Sequence, residues 1–260
     1  MTETPRLDAE ILLAHALGMR RAQVLARSRD LVDPKGFESC VARRMNAEPI
    51  AYITGEWEFF SLPFSVQPPV LVPRPETEHL VETALHYLGN KTADALDLCT
   101  GTGCVAIAVA HHAPRCRVVA TDIAPYAVQV AEANARRNGV ALQTRQGDLF
   151  EALQPGDGPF DVIVANPPYV ESADWPLLPP VIRLHEDPRA VLGGPDGLDI
   201  TRRIVSGAPG RLKPGGLLAF EVGERQRDTA AALLEQAGFR AVGFINDLAG
   251  IPRVARGMMP

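Results

Sequence analysis

The chain has 260 residues, 46% of them hydrophobic and 22% charged, with a formal net charge of -5. Those are globular values in a length that suits one large domain and a small companion. No apolar run approaches the ~20 residues of a membrane span, and the polar start Met1-Thr2-Glu3-Thr4-Pro5 carries no basic-then-apolar leader. A cytoplasmic protein without membrane contact is expected, and the acidic balance, with lysine only at Lys35, Lys91 and Lys213, argues against a nucleic-acid partner.

Residues 6–50 read as helices: Leu7, Ile11, Leu12, Ala16 and Leu17 recur at helical spacing up to Gly18, and Arg21–Ala26 and Lys35–Met45 continue in that style. Residues 1–50 are therefore expected to form a small helical domain without a catalytic motif. Residues 51–72 place Tyr52, Trp57, Phe59, Phe60 and Phe64 among Gly55, Pro63, Pro68 and Pro69, which predicts a hairpin or linker. Residues 73–260 form the large domain. Its lead-in, Leu71-Val72-Pro73-Arg74-Pro75-Glu76-Thr77-Glu78, opens a predicted helix Glu78–Leu88 that Thr77 or Glu76 could cap.

From Ala93 on, strands and helices alternate. Strands are predicted at 95–98, 117–122, 142–146, 161–165 and 217–222, and helices at 104–111, 124–138, 197–212 and 226–238. Two final strands, 239–244 and 254–258, are joined without a helix, so an antiparallel pair is expected at one edge. This is the pattern of an α/β doubly wound sheet. Cys40, Cys99, Cys104 and Cys116 form no Cys-x-x-Cys pair, and His111 and His112 are adjacent, so structural thiols and surface histidines are expected rather than a metal site.

Ligands of such sheets sit beyond the carboxyl ends of the strands. The apolar run Asp161-Val162-Ile163-Val164 ends in Ala165-Asn166-Pro167-Pro168-Tyr169. Proline cannot continue a ladder, so the chain leaves the sheet at Asn166. The amide of Asn166, the carbonyl of Pro167 and the ring of Tyr169 make a clamp for a planar NH2 group; an ordinary Asn-Pro turn is the plainer alternative. A second constellation, Asp97-Leu98-Cys99-Thr100-Gly101-Thr102-Gly103, joins the first strand to its helix. With Asp122 19 residues after Gly103 it fits a dinucleotide fingerprint, which keeps an NAD enzyme in view. Asp97, however, would repel a pyrophosphate and suits a cationic ligand such as S-adenosylmethionine. Asp122 could accept both ribose hydroxyls, and Asp148 with the Leu149 backbone could meet the adenine edge.

These motifs resemble class I S-adenosylmethionine-dependent methyltransferases, and Asn166-Pro167-Pro168-Tyr169 resembles the form that methylates amide or exocyclic amino nitrogens. Leu71–Glu78, Leu192-Gly193-Gly194-Pro195-Asp196-Gly197-Leu198-Asp199, Phe220-Glu221-Val222-Gly223, Asp247-Leu248-Ala249-Gly250 and Leu7-Asp8-Ala9-Glu10 extend the resemblance, over nearly the whole chain, to the HemK/PrmC family of release factor glutamine N5-methyltransferases. The resemblance implies a Rossmann-like, seven-stranded methyltransferase domain behind an N-terminal helical domain that holds the substrate. It implies S-adenosyl-L-methionine as methyl donor, S-adenosyl-L-homocysteine as product and no metal. The implied substrate is the glutamine of the Gly-Gly-Gln motif of class I peptide chain release factors; a monomer is the default expectation for the chain.

Asp97, Cys99, Thr100, Gly101, Thr102, Gly103, Asp122, Asp148, Leu149 and Asn166 would then hold the cofactor. Asn166, Pro167, Pro168 and Tyr169 would hold the glutamine, with Asn166, Pro167 and Tyr169 acting in catalysis. The sequence departs from the pattern at Cys99, where many methyltransferases carry glycine, and at Leu149, where some carry an aromatic ring. A ribosomal-protein glutamine methyltransferase, an adenine-N6 nucleic-acid methyltransferase and a non-enzymatic S-adenosylmethionine binder are the alternatives.

Overall fold

A computed structural model describes residues 4–27 and 35–260. Residues 1–3 and 28–34, which fall within the polar start and the helical reading of the N-terminus, lie outside the described residues. The N-terminal helices are α1 (Pro5–Ala16), α2 (Arg21–Ala26), α3 (Phe37–Met45) and α4 (Ile50–Thr54). Proline opens α1, where its missing N–H is no loss, and Gly18, at φ +62°, follows its end. A small core of Leu12, Cys40 and Ile53 joins α1, α3 and α4. Arg44 adds a 2.8 Å ion pair to the buried Asp8, tying α3 to α1.

The hairpin β1 (Glu56–Phe59) and β2 (Leu62–Ser65) turns at Phe60 and Ser61, both at positive φ. It is no loose linker: Phe59 and Phe64 are buried in the same core as the central sheet. Then follow α5 (Glu78–Leu88), β3 (Ala93–Leu98), α6 (Cys104–His112), β4 (Cys116–Asp122), α7 (Pro125–Arg137), β5 (Gln143–Gln146) and β6 (Phe160–Ala165). The chain closes with α8 (Pro180–Arg183), α9 (Asp199–Gly207), β7 (Leu212–Glu221), α10 (Arg227–Gln236), β8 (Arg240–Asn246) and β9 (Pro252–Met258). The helix expected over 197–212 is shorter. Pro209 cannot donate to a continuing helix, so a single tight turn follows α9 and Leu212 already belongs to β7.

The sheet has seven strands in the order β5-β4-β3-β6-β7-β9-β8. The strands from β5 to β7 pair in parallel, while β9 is antiparallel to both β7 and β8. The last two strands are thus the antiparallel pair expected, but β9 lies inside β8 rather than at the edge. Side chains alternate between two cores. Val162, Val164, Leu217 and Ala219 face one layer, with Leu80 of α5 and Val105 of α6. Ile163, Ala165, Leu218 and Phe220 face the other, with Ile204 of α9 and Leu234 of α10. Burial on both faces explains why these strands read as unbroken apolar runs. The strand order reverses between β3 and β6, and a crevice opens there at the carboxyl edge.

Candidate active site

A cleft of about 150 Å3 lies along that edge. Cys99, Gly101, Asp122, Asp148, Leu149, Asn166 and Pro168 line it, so most of the strand-end residues singled out from the sequence converge there. Gly101 sits at φ +56° with nothing within 4 Å of where a Cβ would be, leaving the cradle open to a ligand. Gly103 serves packing instead: a Cβ there would meet Ala131 of α7 and Ile107 at 3.0 Å. Thr100 and Thr102 are buried in the turn and do not line the cleft. Cys99 holds a left-handed φ of +59° without being glycine, a conformation that costs an L side chain roughly 1–2 kcal/mol.

Asp122 accepts N–H groups from Gly101 and Ala124, each at 2.9 Å, one on each oxygen. A carboxylate has about four lone-pair sites, so both oxygens keep capacity toward the cleft. Burial pushes its carboxyl up, against those N–H groups. Asp148 accepts from Arg203 at 2.8 Å, and Arg189 holds Asp187 at 2.7 Å. Burial would raise the Asp187 carboxyl, but Arg189 and the Tyr126 hydroxyl bring it down to about 2. Both arginines of the lining are therefore matched by carboxylates, and Asp122 stays in excess. This donor set repels a pyrophosphate and fits a ligand with hydroxyls and positive charge.

Asp97 lies beneath the turn rather than in the cleft. It is 2% exposed, and one oxygen accepts the Thr100 hydroxyl at 2.6 Å and the Ala106 N–H at 3.2 Å. Burial, with Asp122 nearby, pushes its carboxyl up to about 7 from an ordinary 3.8. The folded state therefore keeps a proton that the unfolded chain has lost between those values, and stability falls as pH rises through that window. Asp97→Asn should abolish this loss. Thermal unfolding across pH 4–8 checks it: the variant should gain on the native chain as pH rises, and a pH-independent difference would refute the burial argument.

Asn166 leaves β6 as expected and lines the cleft. Its Nδ2 donates to the Thr77 hydroxyl at 3.1 Å, and that hydroxyl donates to Glu221 at 2.7 Å. Thr77, one of the two candidate caps of α5 beside Glu76, makes no side-chain cap bond. No N–H among the described residues donates to the Pro167 carbonyl. Tyr169 is half-buried, with its hydroxyl near Glu221, and lines a neighbouring groove with Gly223 and Arg225. The loop 192–199 braces the whole motif. The Val170 N–H donates to the Val191 carbonyl and the Gly193 N–H to the Val170 carbonyl, both at 2.9 Å, and Gln226 Nε2 donates to the Tyr169 carbonyl at 2.9 Å. Val70, Leu71, Tyr126, Asp187, Arg189 and Arg203 also line the cleft and were not expected from sequence.

Family comparisons agree with this geometry. Residues 77–177 match the Methyltransferase small domain, and residues 1–55 match the PrmC N-terminal domain. A methyltransferase from Pyrococcus furiosus has the same fold, with a TM-score of 0.59 and 21% identity over 85% of this chain and 98% of its own. The 16S rRNA methyltransferase of T. thermophilus, solved with AdoMet and guanosine, also has a TM-score of 0.59, at 22% identity over 79% of this chain and 50% of its own. The fold and the site define a class I methyltransferase. The release factor glutamine methyltransferase of Bordetella pertussis is 45% identical over 98% of this chain and 95% of its own length. That of Geobacter sulfurreducens is 41% identical over 98% and 90%. The chain belongs to the release factor glutamine methyltransferase family.

Proposed function

We propose that the chain methylates the side-chain N5 of the glutamine in the Gly-Gly-Gln motif of class I peptide chain release factors. The observation that carries this reading is the orientation of Asn166. The Glu221 carboxylate can only accept, so Thr77 donates to it and must accept from Asn166 Nδ2. Asn166 Oδ1 is thereby left for a donor in the cleft. It and the Pro167 carbonyl are two acceptors, the complement of an amide NH2. The amide nitrogen is a poor nucleophile because its lone pair is delocalised. Two acceptors on its protons raise electron density on nitrogen and fix its direction of approach.

S-adenosylmethionine, when bound, supplies an electrophilic methyl group on a sulfonium. Asp122 holds its ribose, Asp148 and Leu149 its adenine, and the turn Cys99–Gly103 its chain, with Asp97 keeping that turn in shape from below. No helix among the described residues is long and apolar enough to cross a membrane, and the reading is of a cytoplasmic monomer. Residues 1–50 hold the release factor, and residues 73–260 perform the transfer. The names of the relatives favour this substrate over a ribosomal protein or a nucleic acid.

Methyl transfer from labelled S-adenosylmethionine to a purified class I release factor, beside the same factor with its Gly-Gly-Gln glutamine changed to alanine, tests the reading. Label on the first alone is expected; equal label on both would overturn it. Asp122→Ala should weaken cofactor binding by about 1.5–3 kcal/mol, the range for hydrogen bonds to a charged group. An unchanged dissociation constant by calorimetry would remove Asp122 from the ribose.

A further inference from the structure

Glu221 has no assigned role in the transfer, yet it is the most buried carboxylate beside the clamp, at 1% exposure. The parallel register Ala165↔Phe220 sets it level with Asn166 on the neighbouring strand. The Thr77 hydroxyl, itself 2% exposed, donates to it at 2.7 Å and accepts from Asn166 at 3.1 Å. The Tyr169 hydroxyl lies near enough to the same carboxylate for each to shift the other's titration. One side chain thus reaches Asn166, the first residue of Asn166-Pro167-Pro168-Tyr169, through Thr77.

We infer that Glu221 is a positioning residue for methyl transfer: through Thr77 it fixes which face of the Asn166 amide looks into the cleft. The inference rests on the clamp described under the proposed function. Its physical content is polarity. An amide has a donor end and an acceptor end of nearly equal shape, and packing alone does not choose between them. A hydroxyl can accept from one end or donate to the other, so Thr77 alone does not choose either. A carboxylate takes the single Thr77 proton and leaves Thr77 only lone pairs to offer Asn166. The choice then passes to Asn166, whose Oδ1 is turned to the substrate. Burial and Glu76 push the Glu221 carboxyl up, while the Thr77 and Tyr169 hydroxyls and Arg253 hold it down.

Glu221→Met fills the volume but accepts nothing. Thr77 is then free to donate to Asn166 Oδ1, and the amide turns its NH2 toward the substrate. Steady-state methylation of a purified release factor by the full chain should show kcat reduced about ten- to hundred-fold, the scale of a small misplacement of a reacting group. KM and the cofactor dissociation constant should stay within about two-fold. Thr77→Val should also lower kcat, Thr77→Ser should restore it, and the double variant Glu221→Met with Thr77→Val should be no slower than Glu221→Met alone, because the two act in series.

The side-chain 15N–1H signals of Asn166, in chain labelled at asparagine, give a readout that needs no substrate. They should move in Glu221→Met and Thr77→Val and stay in Thr77→Ser. Native kcat in Glu221→Met, multiplicative losses in the double variant, or Asn166 signals unmoved by Glu221→Met would overturn the inference. Should the native chain label no release factor, the substrate reading falls, and the Asn166 signals still decide the role of Glu221.

Discussion

Asn166→Ala should lower the kcat of release-factor methylation about 10²–10³-fold, the loss seen when one preorganised polar partner of a transition state is removed. Asn166 lines the cleft, and its only side-chain bond among the described residues is the one to Thr77. Alanine leaves the β6 backbone and the proline turn in place, so the sheet has no reason to rearrange. Thr77 keeps its bond to Glu221. The lost group is the Oδ1 acceptor, whose value is greatest as charge develops on the amide nitrogen. Cofactor affinity should therefore fall much less than kcat. Single-turnover methylation at saturating cofactor, paired with calorimetry, separates the two, and a native rate in the variant would remove Asn166 from the clamp.

Gly197→Ala should cost both stability and activity. Gly197 sits at φ +72°, where a Cβ is strained, and that Cβ would lie 2.1 Å from the Tyr169 carbonyl and 2.5 Å from Gln226 Nε2. Both neighbours are already committed, since Gln226 donates to Tyr169 at 2.9 Å and to the Asp196 carbonyl at 3.1 Å. Overpacking typically costs about 1–3 kcal/mol, and left-handed strain adds roughly 1–2 kcal/mol. Relief has to come from moving the Tyr169 backbone, which carries the clamp. A drop in melting temperature together with reduced kcat is expected. A variant that melts with the native chain would show that the loop 192–199 yields without disturbing Tyr169.

The parts of this molecule legible in the sequence are those set by local chemistry. Helix α5 runs from Glu78 to Leu88 as expected, because a proline-rich lead-in and Gly89 punctuate it. Asn166 falls at a strand end because two prolines forbid the ladder from continuing. Side-chain and loop bonds account for what was missed, some of them between positions far apart in the chain. Thr77 looks like a cap from its neighbours, but its hydroxyl is drawn to a carboxylate 144 positions away. Asp97 reads as one of a row of strand-end acids, yet the Thr100 hydroxyl folds back onto it and takes it out of the cleft. Val70, Leu71, Asp187 and Arg189 reach the cleft because Asp187 N–H bonds the Pro69 carbonyl and Arg74 pairs with Glu186, contacts that no periodicity encodes. Glu221 was within reach: it ends an apolar strand as Asn166 does, and the same rule applied to β7 points to it.

The place of β9 has a consequence for how the protein is made. Synthesis runs from the N-terminus, so β3 to β7 leave the ribosome first and can assemble as a parallel unit. The strand that closes the outer side of β7 is the last of the seven to emerge, and it must enter between two strands made before it. Until then, the N–H and C=O groups of β7 on that side stand open beside Leu218 and Phe220, both fully buried in the finished fold. An open apolar edge of this kind invites pairing with another chain. A message broken before Pro252 would therefore yield not a weaker enzyme but a sticky fragment.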